Sequence, residues 1–179
     1  MRTIYKYSAF FLLLIHLQHV SKAQKPSDTL RLLNRSLKEI PDSVFSLINL
    51  RELDLGIGWV AYPSRHGAQK KFEDQNQITT ISPKIANLKN LEYLDLSSND
   101  ISILPKEFKE LKSLSILSLS NNVKLNLDST IKILKMLPKL RRLVLIGIPG
   151  IVKQRKKIQN ELPHVKEIWL ISKELPLLE

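Results

Sequence analysis

Leucine and isoleucine recur along most of the chain in a fixed frame of hydrophobic and polar positions. The frame is clearest in one segment, whose members are Leu91, Leu94, Leu96, Asn99, Ile101, Leu104, Pro105, Phe108 and Leu111. It fits again when moved back by 23 residues (99 − 76), which aligns Asn76 with Asn99, and forward by 23 (114 − 91), which aligns Leu114 with Leu91. Because many positions match in register, the pattern predicts a tandem structural repeat.

The frame predicts that each repeat contains one short strand, a turn, and a return segment that leads back to the next strand. The alternation in Leu94-Asp95-Leu96 suits a strand whose leucines face a core while Asp95 faces outward. The side-chain amide of Asn99 has a donor and an acceptor, so it can satisfy backbone groups where the chain turns away from the strand. Pro105 fixes φ at the start of the return segment, and Phe108 closes the core from the other side.

This frame resembles the leucine-rich repeats of many bacterial proteins and of Ras-group scaffolds, and the resemblance covers nearly everything after the first two dozen residues. It implies an α/β solenoid, a curved horseshoe with short parallel strands on its concave face. Five to six repeats are expected within 24–179, with irregular or 3-10 convex segments early and α-helices late. Helices are predicted from about Ser129 to Met136, with Asp128 as the N-cap, and near Ile151 to Glu161.

An insertion interrupts the second repeat. Aligning its strand with the later ones leaves 18 extra residues (73 − 55), from Gly56 to Glu73. A loop of this length in a compact fold is usually functional or disordered, and its large aromatic residues argue against disorder. We expect the insert at the rim of the concave face, where Trp59 and Tyr62 either pin it to the scaffold or contact a ligand.

The first 23 residues are typical of a secretory signal peptide. Arg2 and Lys6 form a basic start, Ser8 to Leu17 an apolar stretch, and Ser21-Lys22-Ala23 a small-residue cleavage site. The stretch is shorter than the roughly 20 residues that a bilayer span needs, so an uncleaved anchor is the less favoured alternative. The mature chain is therefore predicted to have no stable membrane span.

The chain contains no cysteine, and this restricts the cell types and locations to which we expect it to be exported. No cysteine follows the apolar stretch, which excludes a bacterial lipoprotein anchor. The family resemblance implies cysteine-rich caps for leucine-rich proteins that eukaryotes export, and this chain has none. We therefore predict bacterial export to a secreted, periplasmic or cell-surface location.

The charge of the chain is strongly basic. Removing Arg2, Lys6 and Lys22 with the leader lowers the formal net charge from +11 to +8. The excess lies late in the chain, at 139–142 and in the run 153–157. Such a run could contact phosphate, anionic lipid or acidic polysaccharide, although a solvated helix face is the commoner role. No aromatic residue interleaves the run, so no nucleic-acid partner is expected.

Two columns of strand residues are predicted to face the concave surface, one on each side of the buried leucine. The first column comprises Thr29, Glu52, Tyr93, Ile116, Arg142 and Glu167, and the second comprises Arg31, Asp54, Asp95, Ser118, Val144 and Trp169. The surface should therefore be acidic near Asp54 and apolar near Trp169, where Ile146 and Ile171 follow. An exposed apolar patch usually marks a contact site, although the tail 172–179 could cover this one.

The residues that we predict to bind a partner come from these columns and from the insert. They are Glu52, Asp54, Tyr93, Asp95, Ile116, Arg142, Val144, Trp169, Trp59 and Tyr62.

Catalytic groups are scarce in the sequence. After the leader only His66 and His164 remain, and no G-x-S-x-G motif or other oriented nucleophile accompanies Asp54 or Asp95. Two distant histidines do not predict zinc, and the two carboxylates predict a solvated acidic face rather than a Ca²⁺ site. We expect no enzymatic activity, no cofactor and no metal.

The sequence thus favours an exported, non-catalytic protein-interaction module that is a monomer and whose partner it does not identify. A cytoplasmic leucine-rich signalling scaffold is one alternative, against which the leader argues. A binder of anionic surfaces or polysaccharides through the basic run is the other. The fold by itself names no partner, because one scaffold serves many interactions.

Cleavage after Ala23 gives the first testable prediction. Mass spectrometry of the mature protein should find Gln24 at the N-terminus, because the basic, apolar and small-residue regions follow the order that signal peptidase recognises. An intact Met1 on a cytosolic species would contradict it.

Overall fold

The computed structural model describes residues 28–56 and 74–171. The leader, nearly all of the insert and the tail 172–179 lie outside the described residues. The predictions for 1–23, Trp59, Tyr62 and His66 therefore stay predictions.

Six three-residue strands form one parallel sheet in chain order. They are β1 (Thr29–Arg31), β2 (Glu52–Asp54), β3 (Tyr93–Asp95), β4 (Ile116–Ser118), β5 (Arg142–Val144) and β6 (Glu167–Trp169). The register pairs equivalent repeat positions, so that Leu94 lies between Leu53 and Leu117. The two predicted columns are confirmed, since each member is paired with its neighbour along all six strands.

The convex side changes from 3-10 to α-helix along the chain, as predicted. The early return segments are 3-10 helices at Asp42–Ser46, Pro83–Asn87 and Lys106–Glu110. The later ones contain α1 (Leu127–Leu134) and a 3-10 turn at Ile151–Gln154 that continues into α2 (Arg155–Glu161).

The predicted cap of the first α-helix was wrong. Asn126, and not Asp128, is the N-cap of α1, and its side-chain oxygen accepts a hydrogen bond from the Ser129 N–H at 3.0 Å. The helix consequently begins at Leu127 and ends two residues before Met136. Asp128 lies in the first turn, where a negative charge still favours the helix dipole.

The apolar frame positions make one continuous core between the sheet and the convex segments. Leu94, Leu117 and Phe108 have no solvent exposure, and Ile158 and Leu162 extend the core into the last repeat. Burial of the frame leucines follows from the stacking, because a single repeat cannot cover its own apolar face.

Asparagine side chains hold the turns together, as predicted for Asn99. Its Oδ1 accepts from the Ile78 N–H at 3.0 Å, and its Nδ2 donates to the Leu55 and Leu96 carbonyl oxygens at 3.2 and 3.1 Å. Asn122 repeats the arrangement one turn later, accepting from the Ile101 N–H at 3.0 Å. Each amide therefore joins two neighbouring repeats.

Replacing Leu94 by alanine should lower the free energy of unfolding by about 2–5 kcal/mol, because it leaves a cavity in the fully buried centre of the stack. Denaturant titration measures the change. Ile103→Ala in the same repeat is the matched control, since Ile103 is 58% exposed and should change stability by only about 0.5 kcal/mol or less. Equal losses for the two variants would contradict this assignment of the core.

Candidate binding surface on the concave face

The first column of strand residues forms the accessible part of the concave face. Glu52 is exposed, and Tyr93, Ile116, Arg142 and Glu167 are each partly exposed. We call these five residues the accessible column. Their order from β2 to β6 is carboxylate, aromatic, aliphatic, guanidinium and carboxylate, so the surface changes in chemistry from one repeat to the next.

From β2 to β6 the second column is buried, which corrects the prediction that it faces solvent, whereas Arg31 in β1 is exposed. Asp54, Asp95, Ser118, Val144 and Trp169 are between 1% and 8% exposed. Strand periodicity gives the direction in which a side chain points, but it does not tell whether that side of the strand is covered.

The predicted exposed apolar patch is likewise wrong. Val144, Ile146 and Trp169 pack against one another as a small second cluster, with 5%, 8% and 8% of their surfaces exposed. These three side chains therefore contribute mainly to packing between the last two strands. Any direct role of Val144 or Trp169 in binding stays a prediction.

Arg142 joins the buried cluster to the accessible column. Its guanidinium carbon lies 4.8 Å from the centroid of the Trp169 ring, a cation–π contact, and its Nε donates to Glu167 Oε2 at 2.6 Å. The ring and the carboxylate together fix the direction of a long side chain that remains about one-third exposed. Fixed guanidinium groups of this kind lose little rotamer freedom when they bind a partner.

The Arg142 contacts could have been foreseen only in part from the sequence. The column alignment places Glu167 beside Arg142 on the next strand, which is the signal for the ion pair. The sequence pattern places Glu167 in the column but does not mark it as a binding residue. The stacking of Arg142 on Trp169 depends on rotamers, which the repeat pattern does not specify.

Two neighbouring carboxyl groups, Asp54 and Asp95, are buried side by side where β2 pairs with β3. Asp54 Oδ1 accepts from the Gly56 N–H at 3.2 Å, and Asp95 Oδ1 accepts from the Ser97 N–H at 2.7 Å. Desolvation raises the pKa of Asp95 to about 6, and the nearby Asp54 charge adds to the rise. Burial also raises the pKa of Asp54, although Arg31 opposes the change. The predicted solvated acidic face is thus wrong.

The space beside this carboxyl pair leaves no room for a side chain at position 56, where the chain has glycine. A Cβ added at Gly56 would lie 2.7 Å from the Asp95 Cγ, which is closer than real Cβ contacts allow. Gly56 therefore permits the carboxyl group of Asp95 to pack directly against the backbone that follows β2.

A groove of about 490 Å³ lies beside the last strand. It is lined by Gln159, Leu162, Pro163, Val165, Lys166, Glu167, Ile168 and Trp169. Its titratable lining groups, Lys166 and Glu167, make no arrangement of nucleophile and base.

Within residues 28–56 and 74–171 there is no group of three or more side chains that could hold a metal ion. In the same ranges, no helix has the length and apolar character needed to cross a membrane.

The repeat geometry agrees with a family match. The family model described as "Leucine rich repeat" matches residues 74–123, which contain the three turns at Asn76, Asn99 and Asn122. The chain carries leucine-rich repeats. A volume-regulated anion channel subunit of Rattus norvegicus is 36% identical over 85 residues, which make up 42% of this chain and 10% of that subunit.

Solved leucine-rich repeat structures share the fold. A leucine-rich repeat protein of Leptospira interrogans superimposes with a TM-score of 0.58 and 32% identity, over 77% of this chain and 30% of that one. An internalin of Listeria monocytogenes gives a TM-score of 0.50 and 20% identity, over 73% of this chain and 31% of that one. The chain thus spans between about one-tenth and one-third of the length of these proteins.

The buried Asp95 predicts an unusual pH dependence of stability. A carboxyl group whose folded-state pKa lies above its unfolded value keeps its proton longer in the native state, so stability falls as pH rises from about 4 through about 6. Asp95→Asn removes this titration. Relative to the wild type, the variant should gain up to about 3 kcal/mol between pH 4 and pH 7.5, from roughly two pKa units at 1.36 kcal/mol each.

Denaturant titrations of both proteins at the two pH values measure the difference. Comparing variant with wild type at each pH cancels the titration of the other carboxyl groups. A stability difference that is the same at both pH values would contradict the assignment.

Proposed function

We propose that the chain is an exported, non-catalytic module that binds a partner protein along the accessible column. The observation that carries the proposal is the in-register run of Glu52, Tyr93, Ile116, Arg142 and Glu167 on five consecutive strands. Tyrosine and arginine are among the residue types that contribute most to binding energy at protein interfaces. In this column they flank an apolar position, Ile116.

The size of the column suits an extended segment of a partner. Four strand spacings of about 4.8 Å give roughly 19 Å from Glu52 to Glu167. An extended peptide advances about 3.3 Å per residue, so about six residues would cross the five strands. Tyr93 and Ile116 would contact apolar side chains in its middle, and Glu52 favours a cationic group at one end.

Family membership supports the same reading. Leucine-rich repeat proteins are commonly protein-interaction modules and are typically not enzymes. Export rests on the signal-peptide pattern of residues 1–23, and a secreted, periplasmic or cell-surface location follows from it. A contribution of Trp59 and Tyr62, which lie outside the described residues, is a separate prediction.

The test begins with the mature chain as bait for a partner protein, whose affinity is then measured by calorimetry. Tyr93→Ala should weaken binding about thirtyfold or more, since truncating an aromatic anchor at the centre of an interface costs about 2 kcal/mol. Ile103→Ala is the control, because Ile103 is exposed and lies outside the strands.

Thermal unfolding must show that both variants remain folded. Trp169→Ala is a poor probe, because Trp169 is buried and its loss would alter packing. The proposal fails if Tyr93→Ala and Arg142→Ala both bind the partner as tightly as the wild type does.

A further inference from the structure

The residues that come directly before the strands form another in-register column, next to the accessible column. We call it the leading column, and its members are Asp28, Arg51, Glu92, Ser115, Arg141 and Lys166. The Glu92 N–H donates to the Arg51 carbonyl oxygen at 2.8 Å, and the Ser115 N–H donates to the Glu92 carbonyl oxygen at 2.8 Å. The Arg141 N–H continues the series by donating to the Ser115 carbonyl oxygen at 2.9 Å. Successive members therefore lie about one strand spacing, roughly 5 Å, apart.

The two columns together are acidic at the end formed by β1 to β3. They hold three carboxylates and one guanidinium there, a formal net charge of −2, from Asp28, Glu52, Glu92 and Arg51. Arg51 Nη2 donates to Glu92 Oε1 at 2.7 Å. The pKa of Arg51 is raised, chiefly by its hydrogen bond with Glu92, and the charges of Asp28 and Glu52 add to the rise. Three carboxylates thus surround one guanidinium, and the exposed Asp28 and Glu52 give this end its excess negative charge.

The columns are basic at the opposite end, formed by β5 and β6. They hold three cations and one carboxylate there, a formal net charge of +2, from Arg141, Arg142, Lys166 and Glu167. Arg142 Nε donates to Glu167 Oε2 at 2.6 Å, so these two residues offset each other. The excess positive charge consequently comes from Arg141 and Lys166, both of which are exposed.

The middle of the two columns carries no charge. On β4 the members are Ser115 and Ile116, and Tyr93 on β3 places an aromatic ring beside them. From β1 to β6 the surface therefore changes from acidic through uncharged and largely apolar to basic.

Charged residues around the columns do not cancel this polarity. The second column adds the carboxyl groups of Asp54 and Asp95 to the acidic end, against the single guanidinium of Arg31. The described turns before β2, β3, β5 and β6 hold one lysine at each end, Lys89 and Lys139, so the difference between the ends is unchanged. The chain has 28 basic and 17 acidic residues, and composition alone therefore does not produce an acidic end.

We propose that the two columns recognise an extended segment of a partner protein in which a basic and an acidic residue flank an apolar one. This inference rests on the proposed function and specifies the chemistry of the partner. The basic residue lies beside Glu52, the apolar residue contacts Tyr93 and Ile116, and the acidic residue lies beside Arg141. Complementary charges at both ends hold the segment in one register across the strands.

The strand spacing determines the spacing of the motif. Three strand spacings separate β2 from β5, which is about 14 Å. In an extended segment, alternate side chains face the same way and are about 6.6 Å apart, so residues i and i+4 are about 13 Å apart. Residue i+2 then falls between β3 and β4, at the uncharged middle. The motif is therefore basic-x-apolar-x-acidic, in either chain direction, because charge pairing alone does not fix the direction.

The experiment uses two fluorescein-labelled, C-terminally amidated peptides of identical composition, with affinity for the purified protein measured by fluorescence anisotropy. The first, Ser-Ser-Lys-Ser-Leu-Ser-Glu-Ser-Ser, has the proposed spacing. The second, Ser-Ser-Lys-Glu-Ser-Leu-Ser-Ser-Ser, places both charges on one side of the leucine. The wild type should bind the first peptide about threefold more tightly or better, because only that peptide can form an ion pair at each end. The preference should shrink in high salt.

Reversal of one charge tests where the peptide binds. Glu52→Lys should bind Ser-Ser-Glu-Ser-Leu-Ser-Glu-Ser-Ser more tightly than the first peptide, whereas the wild type should prefer the first peptide. The matched control is Glu39→Lys, which changes the net charge equally at an exposed position outside the strands. It should keep the preference of the wild type. Thermal unfolding verifies that both variants fold.

Equal affinity of the wild type for the two peptides of identical composition, or no binding of either, would overturn the inference. An equal change of preference in Glu52→Lys and Glu39→Lys would do the same, since net charge would then decide binding. A dimer in sedimentation that Glu52→Lys dissociates would also overturn it, because a second copy of the chain would then occupy the columns.

The proposed function is tested separately with the captured partner protein. If Tyr93→Ala weakens binding of that protein while the wild type does not distinguish the two peptides, the proposed function stands and this inference fails. If Tyr93→Ala and Arg142→Ala leave the affinity for that protein unchanged, the proposed function itself fails, and the inference fails with it.

Discussion

The side-chain amides of Asn76, Asn99 and Asn122 are the interaction on which the rest of the structure depends. Each strand is only three residues long, so the chain must turn inside the protein, where no water can satisfy its backbone groups. An asparagine amide donates to the carbonyl oxygens of two repeats and accepts from an N–H group of the earlier one. The hydrogen bonds that close one turn therefore also fix the next repeat in register.

Because the repeats stack in register, the residues at one position of the frame form a column on the surface. A residue type that recurs at one position of the frame becomes a row with a spacing of about one strand. This relation produces the graded chemistry of the accessible column. The column draws on strand positions that the core leaves free.

The frame predicts most of the fold, because its spacing reports directly on backbone geometry. The six strands, their pairing and the burial of Leu94 and Leu117 all follow from the positions of leucine and asparagine. The exposure of Asp95, Val144 and Trp169 was mispredicted for a physical reason, since strand direction does not determine what covers a side chain. The helix cap was mispredicted because Asn126 and Asp128 are both good capping residues, and the sequence pattern does not distinguish between them.

The second column also shows that the repeat fold accepts different residue types at one buried position. Its equivalent positions hold Asp95, Ser118 and Val144, which differ in charge and polarity but have nearly the same burial. Serine and valine show that stacking does not require a carboxyl group there. Asp95 therefore carries a desolvation cost that the fold itself does not demand, and Gly56 has to lack a side chain to accommodate it. Departures of this kind from local preference are expected where a protein meets a requirement other than stability.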